Sequence, residues 1–160
     1  MENQILSMNQ KELLAFIENM SIKKEELEKK FNKNALSMCN YIATVRDDSH
    51  FAKYKGAIKE FFDERPKEPI AYFLQYVYSN KEYVNNIKEG NDNFFITDTF
   101  NNVEKDQMSQ IFEFKDLWKS FNNTTKESIK KTMKLLVDIA SIYLDILHNK
   151  QVASKKLKSL

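Results

Sequence analysis

Apolar residues recur three and four positions apart along most of this chain, and that spacing is typical of one face of an α-helix. The pattern is most regular in the stretch Leu27, Phe31, Ala35, Met38, Ile42 and Val45. No stretch alternates apolar and polar residues for long enough to predict a strand. The chain holds only two glycines and two prolines to interrupt its helices. The sequence therefore predicts an all-α fold.

Residues that favour helix ends divide this pattern into about six to seven helices. We predict a first helix over residues 4–20 and a second that begins after Ser21, with Ser21 as its N-cap. Ser49 and Pro69 suit the first turns of two later helices. The aromatic run over residues 69–79, PIAYFLQYVYS, is expected to be well buried.

The most apolar helix lies near the C-terminus, where Thr124 and Glu127 have the spacing of a capping box. Because most of its surface is apolar over about residues 125–148, we predict a bundle packed around it, with this helix largely buried. The alternative is that part of its surface binds a partner or a second copy. Its polar positions form one narrow stripe of Lys134, Asp138, Ser141, Asp145 and His148.

These elements predict one helical domain over residues 1–148, followed by a basic and flexible tail over residues 149–160. A chain of 160 residues, 42% of them hydrophobic, is long enough to bury one core and too short for two comfortable ones. We therefore expect a single domain.

The overall charge is close to neutral, since 25 basic and 23 acidic residues give a formal net charge of +2. No strong overall field attracts nucleic acid or anionic lipid. Arg46 and Arg65 are the only arginines. The planar guanidinium groups that read guanines and grip phosphates are therefore scarce, and sequence-specific DNA recognition is poorly supported.

Lysines nevertheless concentrate on one face of the C-terminal helix and in the predicted tail. Only Glu127 lies close enough in sequence to neutralise the helix face. Such a set of lysines is typical of a solvated helix face, but it can also contact phosphates without reading sequence, so a nucleic acid is the alternative to a protein partner. The candidate residues are Lys126, Lys130, Lys131, Lys134, Lys155, Lys156 and Lys158.

The sequence favours a location inside the cell. Cys39 is the only cysteine, so no internal disulfide can form. The N-terminus, MENQILSMNQKELL, lacks the basic and then apolar segments of a secretory signal. The last helix is interrupted by two aspartates within the roughly 20 residues that a bilayer requires. We predict a cytoplasmic protein that does not enter the membrane.

The loop KEGNDNFF, residues 88–95, holds one of the two glycines. It lacks the further glycines and the Lys-Ser/Thr pair of a phosphate-binding loop and the ligand spacing of a calcium loop. Gly90 instead fits the position after a helix end, with the phenylalanines packing back on the bundle. The alternative is an exposed anchor for a partner, formed by Phe94, Phe95, Ile96 and Phe100.

No set of residues predicts catalysis or a cofactor. The run Asp47-Asp48-Ser49-His50 holds the residue types of a catalytic triad, but neighbouring residues cannot arrange as nucleophile, base and orienter. Cys39, His50 and His148 are too scattered in sequence to predict a metal site. We therefore expect neither a cofactor nor enzymatic activity.

Residues 69–95 and 114–147 resemble small, lysine- and asparagine-rich helical proteins of nucleocytoplasmic large DNA viruses, over about half of the chain. The residues that carry the resemblance are Pro69, Ile70, Gly90, Phe94, Phe95, Leu117 and Trp118. It implies a viral protein that acts in the host cytoplasm or is packaged in the virion. It supplies no functional residues, because the similar positions are turn, cap and core residues.

The leading functional prediction is a non-enzymatic helical module that binds another protein or a second copy of itself. It follows from many large apolar side chains in a chain without convergent catalytic groups.

Overall fold

A computed structural model describes residues 1–92, 95 and 114–160, and no strand occurs among these residues. The prediction of an all-α bundle is confirmed. In chain order the helices are α1 (Glu2–Leu6), α2 (Gln10–Val45), α3 (His50–Lys53), α4 (Lys55–Glu64), α5 (Glu68–Phe73), a π-helical turn (Leu74–Tyr78), α6 (Lys81–Lys88), α7 (114–120) and α8 (Asn123–Ser159).

The two longest helices, α2 and α8, lie side by side and run in opposite directions. The Tyr41 hydroxyl lies 3.3 Å from the Thr125 hydroxyl. Towards the start of α2, Glu28 contacts Tyr143, and Leu13 packs with Ala153 in one small cluster. Residues near the end of α2 therefore contact residues near the start of α8, and residues near the start of α2 contact residues near the end of α8. The pair forms an antiparallel frame that is about 55 Å long.

The main core surrounds the end of this frame where α2 finishes and α8 begins. Helices α5, α6 and α7 contribute Ile70, Ile87 and Trp118 to it. They pack with residues of α8 that include Val137, which is fully buried. Burial of these apolar side chains is the main favourable term in forming the bundle.

The prediction that the segment 125–148 is largely buried is confirmed, since it holds buried residues on every turn. The stripe residues Lys134, Asp138, Asp145 and His148 are exposed, as their polarity predicts. Ile142 is also 51% exposed beside them. The open side of α8 is therefore wider than the polar stripe alone.

Two predicted helix starts were wrong. Helix α2 begins with a capping box in which Asn9 accepts a hydrogen bond from the Glu12 N–H and Glu12 accepts one from the Asn9 N–H. It passes through Ser21 unbroken, because the Ser21 hydroxyl donates to the Ile17 carbonyl at 2.9 Å. Helix α8 is capped by Asn122, which accepts from the Thr125 N–H, so the predicted box at Thr124 does not form.

The predicted flexible tail over residues 149–160 was also wrong, because α8 stays helical through Ser159. Ala153 is fully buried against Ile5 and Leu13, and Leu157 is half-buried in the same cluster. Enough apolar side chains follow His148 for the helix to pack on α1 and the start of α2. Lysines lie between these apolar residues, so the apolar pattern is difficult to recognise in the sequence.

The predictions for three residues at helix ends, Ser49, Pro69 and Gly90, are confirmed. Ser49 caps α3 by accepting a hydrogen bond from the Ala52 N–H, and Pro69 lies in the first turn of α5. Gly90 has φ +66°, the left-handed conformation expected after a helix end. The Gly90 N–H donates to the Ile87 carbonyl and the next N–H to that of Asn86, which is a Schellman motif.

Candidate interaction surfaces

Three aromatic side chains form a row on α4, α5 and the π-helical turn that follows α5. The rings of Tyr72 and Tyr76 lie 6.1 Å apart between centroids and are nearly parallel, at 19°. The Phe61 ring also lies 6.1 Å from that of Tyr72, tilted by 31°. Tyr72 is 48% exposed and Tyr76 47% exposed. We call these three residues the aromatic row.

The row exists because the aromatic run over residues 69–79 has two sides. Its inner side packs on the core through Ile70, which is fully buried, and through Phe73, whose ring meets the Phe31 ring edge-on at 5.3 Å. Tyr72 and Tyr76, four residues apart, then lie together on the outer side. The prediction that this run is well buried was wrong, since within residues 69–79 only Pro69 and Ile70 are buried, while Tyr72 and Tyr76 are exposed. The i, i+4 spacing was the sequence signal for them.

The chain continues past Phe73 in a π-helical turn, Leu74–Tyr78, which holds Tyr76. Such turns are rare and often occur at functional positions in helices. The Asn32 side-chain amide donates to the Pro66 carbonyl at 2.8 Å and holds the α4–α5 connection against α2. The aromatic row is therefore presented by elements that are anchored to the main frame.

Four charged side chains close to the aromatic row in sequence form two ion pairs. Lys59 contacts Asp63 at 2.7 Å, and Arg65 contacts Glu68 at 3.5 Å. Asp63 beside Lys59 raises the pKa of that ammonium group. These exposed pairs contribute little stability, but they leave the surroundings of the row without a strong charge of either sign.

The structure places Phe95 inside the bundle, where it is 3% exposed. Its ring stacks on Trp118 with centroids 4.0 Å apart and planes at 13°. The hypothesis of an exposed anchor is therefore wrong for Phe95, which acts as a core residue. Phe94, Ile96 and Phe100 lie outside the residues that the structure describes.

The four lysines near the start of α8 mostly contact the protein itself. The Lys126 ammonium lies 5.7 Å from the Trp118 ring centroid. Lys130 contacts Asp92 at 2.5 Å, and the hydrogen bond to Asp92 raises the pKa of Lys130. Lys134 extends towards Gly90, in the turn after α6. Lys131 is exposed to solvent.

The other three lysines, Lys155, Lys156 and Lys158, lie on the last turns of α8. Lys130 and Lys156 are 26 positions apart, which corresponds to about 39 Å along a straight helix. The two lysine groups therefore do not converge on one phosphate. A nucleic acid would have to follow the length of α8 to meet both.

A buried polar cluster links α2 and α8 near their middle. Glu28 is only 3% exposed. Its carboxylate accepts hydrogen bonds from Tyr143 at 2.7 Å and from Lys24 at 2.9 Å. Burial, and then the hydrogen bond to Glu28, raises the pKa of Tyr143 to about 12. Burial lowers the pKa of Lys24, but hydrogen bonds to Glu28 and Tyr143 outweigh it and raise the pKa overall.

The cluster satisfies one buried carboxylate with two donors from two helices. Every group in it has a partner, so it fixes how α2 and α8 align without leaving a charge unpaired. These residues were not predicted from the sequence. Nothing in the spacing of Glu28 distinguishes it from the exposed glutamates around it.

The cysteine and the two histidines, the candidate metal ligands of the sequence, lie on separate elements. His148 is close to Glu2, with 3.7 Å between the imidazole and carboxylate atoms, and His50 packs on the Tyr54 ring. Burial raises the pKa of the Cys39 thiol to about 11, so this thiol is a poor nucleophile. Among the described residues, no group of three or more His, Cys, Asp or Glu side chains is placed to hold a metal ion.

None of the described helices is both long enough and apolar enough to span a bilayer. Comparisons of the chain with protein-family models, with curated protein sequences and with solved structures returned no match.

Proposed function

We propose that this chain is a helical interaction module that associates with a second copy of itself through the aromatic row. The observation that carries the proposal is the exposure of Tyr72 and Tyr76, two neighbouring aromatic rings that are about half accessible to solvent. Single exposed apolar residues are common on protein surfaces, but a contiguous aromatic group is a feature of binding sites.

Tyrosine is well suited to such a contact. Its ring buries a large apolar area, its hydroxyl accepts or donates a hydrogen bond, and few rotamers are lost on binding. Tyrosines are enriched among the residues that dominate binding energy. The aromatic row also lies on anchored helices, so association requires little ordering of the chain.

The charges favour an identical partner over a nucleic acid. A two-fold interface places each surface against its own copy, so unpaired charges of one sign would repel each other. Beside the row, Lys59 is paired with Asp63 and Arg65 with Glu68. Residues 59–68 hold three basic and four acidic side chains, which gives a phosphate backbone no net attraction.

Light scattering coupled to size-exclusion chromatography, over a range of protein concentrations, tests the proposal. The wild type is expected to shift towards a dimer as concentration rises. The double variant Tyr72→Ser/Tyr76→Ser is expected to remain monomeric. Tyr54→Ser is the matched control, because Tyr54 is 43% exposed but lies outside the aromatic row. A wild type that stays monomeric at every concentration, or a double variant that still dimerises, contradicts the proposal.

We also propose that the module works without catalysis and in the reducing environment of the cytoplasm. Cys39, the single cysteine, supports this location because it has no second cysteine with which to form an internal disulfide, as chains in oxidising compartments often do. Quantitative alkylation of the protein from freshly lysed cells would recover Cys39 as a free thiol. Recovery of Cys39 in an intermolecular disulfide would contradict the proposal.

A further inference from the structure

An open groove of about 390 Å³ lies between α1 and the last turns of α8. Helix α1 contributes Glu2 and Leu6 to it, and α8 contributes residues on three successive turns. We call the site the terminal groove and define it by Glu2, Leu6, His148, Val152, Lys155 and Lys156.

The terminal groove combines an apolar part with a basic part. Leu6 is 48% exposed, and Val152 beside it is half-buried. Lys155 is exposed and Lys156 is half-buried, and both line the groove. A ligand that satisfies the whole groove therefore needs apolar groups and negative charges in the same short segment.

The positive charge at this end of the molecule is not balanced along the helix. From Ile146 to Leu160 the chain carries four lysines and no acidic residue. Lysines in the last turns of a helix also complement its dipole, which accounts for some of them. The helix dipole gives no reason for an exposed apolar side chain, Leu6, in the same groove as these lysines. Glu2 is the one acidic residue among those that define the groove, and it lies 3.7 Å from His148.

We propose that the terminal groove binds an acidic amphipathic segment of another protein. Its carboxylates would contact Lys155 and Lys156, and its apolar side chains would cover Leu6 and Val152. The groove spans about 16 Å along α8 from His148 to Ser159, which matches about three turns of a bound helix.

The same features disfavour other anionic ligands. A phosphate backbone pairs with lysines but offers no apolar group for Leu6 and Val152. A membrane surface is broad and flat, whereas this site is a concave groove between two helices. A short protein segment with mixed character is the ligand that matches both the shape and the chemistry of the terminal groove.

This interaction does not depend on the aromatic row. The row is built from α4, α5 and the π-helical turn, at the end of the frame that holds the main core, whereas the terminal groove is built from α1 and the end of α8. A module with both surfaces would join a second copy through one and an acidic partner through the other. Either surface can fail in experiment while the other is retained.

A synthetic peptide of about 18 residues, with a leucine face bordered by glutamates in a helical repeat, is a direct probe. Titration into the full-length protein, followed by NMR amide shifts and by fluorescence anisotropy, is expected to show saturable binding. The shifts are expected in α1 and in residues 148–159. A peptide of identical composition with a scrambled order, which carries the same charge but no apolar face, is expected to bind at least about tenfold more weakly.

Two lysine substitutions test the basic part of the site. Lys155→Glu/Lys156→Glu is expected to weaken binding of the ordered peptide by at least about tenfold. Lys81→Glu/Lys88→Glu makes the same charge change on α6 and is expected to leave affinity within about twofold. Lys155→Gln/Lys156→Gln is a milder pair, which removes the charges without placing acids at a helix C-terminus, and is expected to weaken binding by several-fold.

Three results would overturn the proposal. The first is equal affinity for the ordered and scrambled peptides, which would mean attraction by charge alone. The second is an unchanged affinity in both Lys155/Lys156 variants while circular dichroism shows a folded protein. The third is tighter binding of a single-stranded oligonucleotide or of anionic vesicles at the same residues, which would assign the groove to those ligands.

Discussion

At the scale of single residues, the Glu28 cluster shows how a polar side chain can be kept inside an apolar frame. A buried carboxylate without partners would cost several kcal/mol, and one that is fully hydrogen-bonded costs far less. Here Tyr143 and Lys24 supply the donors from two different helices. The cluster therefore adds a polar contact that α2 and α8 can make in only one alignment.

Removing the phenol hydroxyl tests that role. Tyr143→Phe leaves Glu28 buried with one donor and is expected to lower the free energy of unfolding by about 1–3 kcal/mol at neutral pH. Tyr41→Phe is the control, because it removes a 3.3 Å contact to Thr125 from a more exposed tyrosine. Urea denaturation monitored by circular dichroism measures both. An equal effect of the two substitutions would argue against a special role for the buried cluster.

The hydrogen bond between Tyr143 and Glu28 also predicts that the free energy of unfolding depends on pH. The Tyr143 pKa is raised from 10.0 to about 12, so the folded state favours the protonated phenol. Its contribution is complete below pH 10.0 and is lost as pH rises through about 12. Lys24, whose pKa is also raised, adds a loss in the same direction. The stability difference between wild type and Tyr143→Phe should therefore shrink between pH 10 and pH 12.

At the scale of elements, the sequence predicts helices well where the signal is local. The apolar period of α2, the serine cap of α3 and the glycine at the end of α6 all depend on neighbours within one or two turns. The prediction at Ser21 was wrong because a hydroxyl can cap a new helix or bond back within an old one. Tertiary packing decides between the two outcomes, and packing is not visible in local spacing.

The candidate surfaces were harder to predict for a related reason. Tyr72 and Tyr76 belong to the same aromatic run as Phe73 and Leu74, which pack against the core, and their exposure depends on which side of this run faces the core. The helical end of α8 was missed because four lysines outweigh Val152, Ala153 and Leu157 in composition. In both regions, the deciding contacts join residues that are far apart in the chain.

The two glycines give opposite predictions for one substitution. Gly90 has φ +66°, so Gly90→Ala is expected to destabilise the protein by about 1 kcal/mol. Gly56 lies in α4 with open space where the methyl group of an alanine would project, so Gly56→Ala is expected to stabilise it by about 0.5 kcal/mol. Thermal unfolding of both variants checks the signs. A stabilising Gly90→Ala would show that the turn after α6 is not left-handed in solution.

Substitution in the last turns of α8 tests whether this segment is packed. Ala153→Asp places a charge in a fully buried position and is expected to cost more than about 2 kcal/mol. Gln151→Asp introduces the same residue at an exposed position of the same helix and is expected to cost less than about 0.5 kcal/mol. Chemical denaturation measures both variants. Equal and small effects would show that the segment is a loose tail.

At the scale of the whole molecule, the frame is supported unequally at its two ends. At the end of the frame where α2 ends and α8 begins, helices α5, α6 and α7 bury a large cluster that includes Trp118 and Val137. At the opposite end, Ile5, Leu13 and Ala153 are the fully buried residues of a much smaller cluster. Since local stability follows buried apolar contact, the second end should open at a lower free energy than the first.

Native-state hydrogen exchange can measure this difference residue by residue. Amides of residues 148–157 are expected to exchange through a local opening, and amides of residues 129–140 only through global unfolding. Ile5→Ala should lower the opening free energy of the first group by about 2 kcal/mol or more and leave the second less affected. Uniform protection along α8 would mean that the helix opens as one unit.

The difference in local stability also matters for binding. A ligand in the terminal groove would join α1 to α8 and should slow amide exchange in residues 148–157 alone.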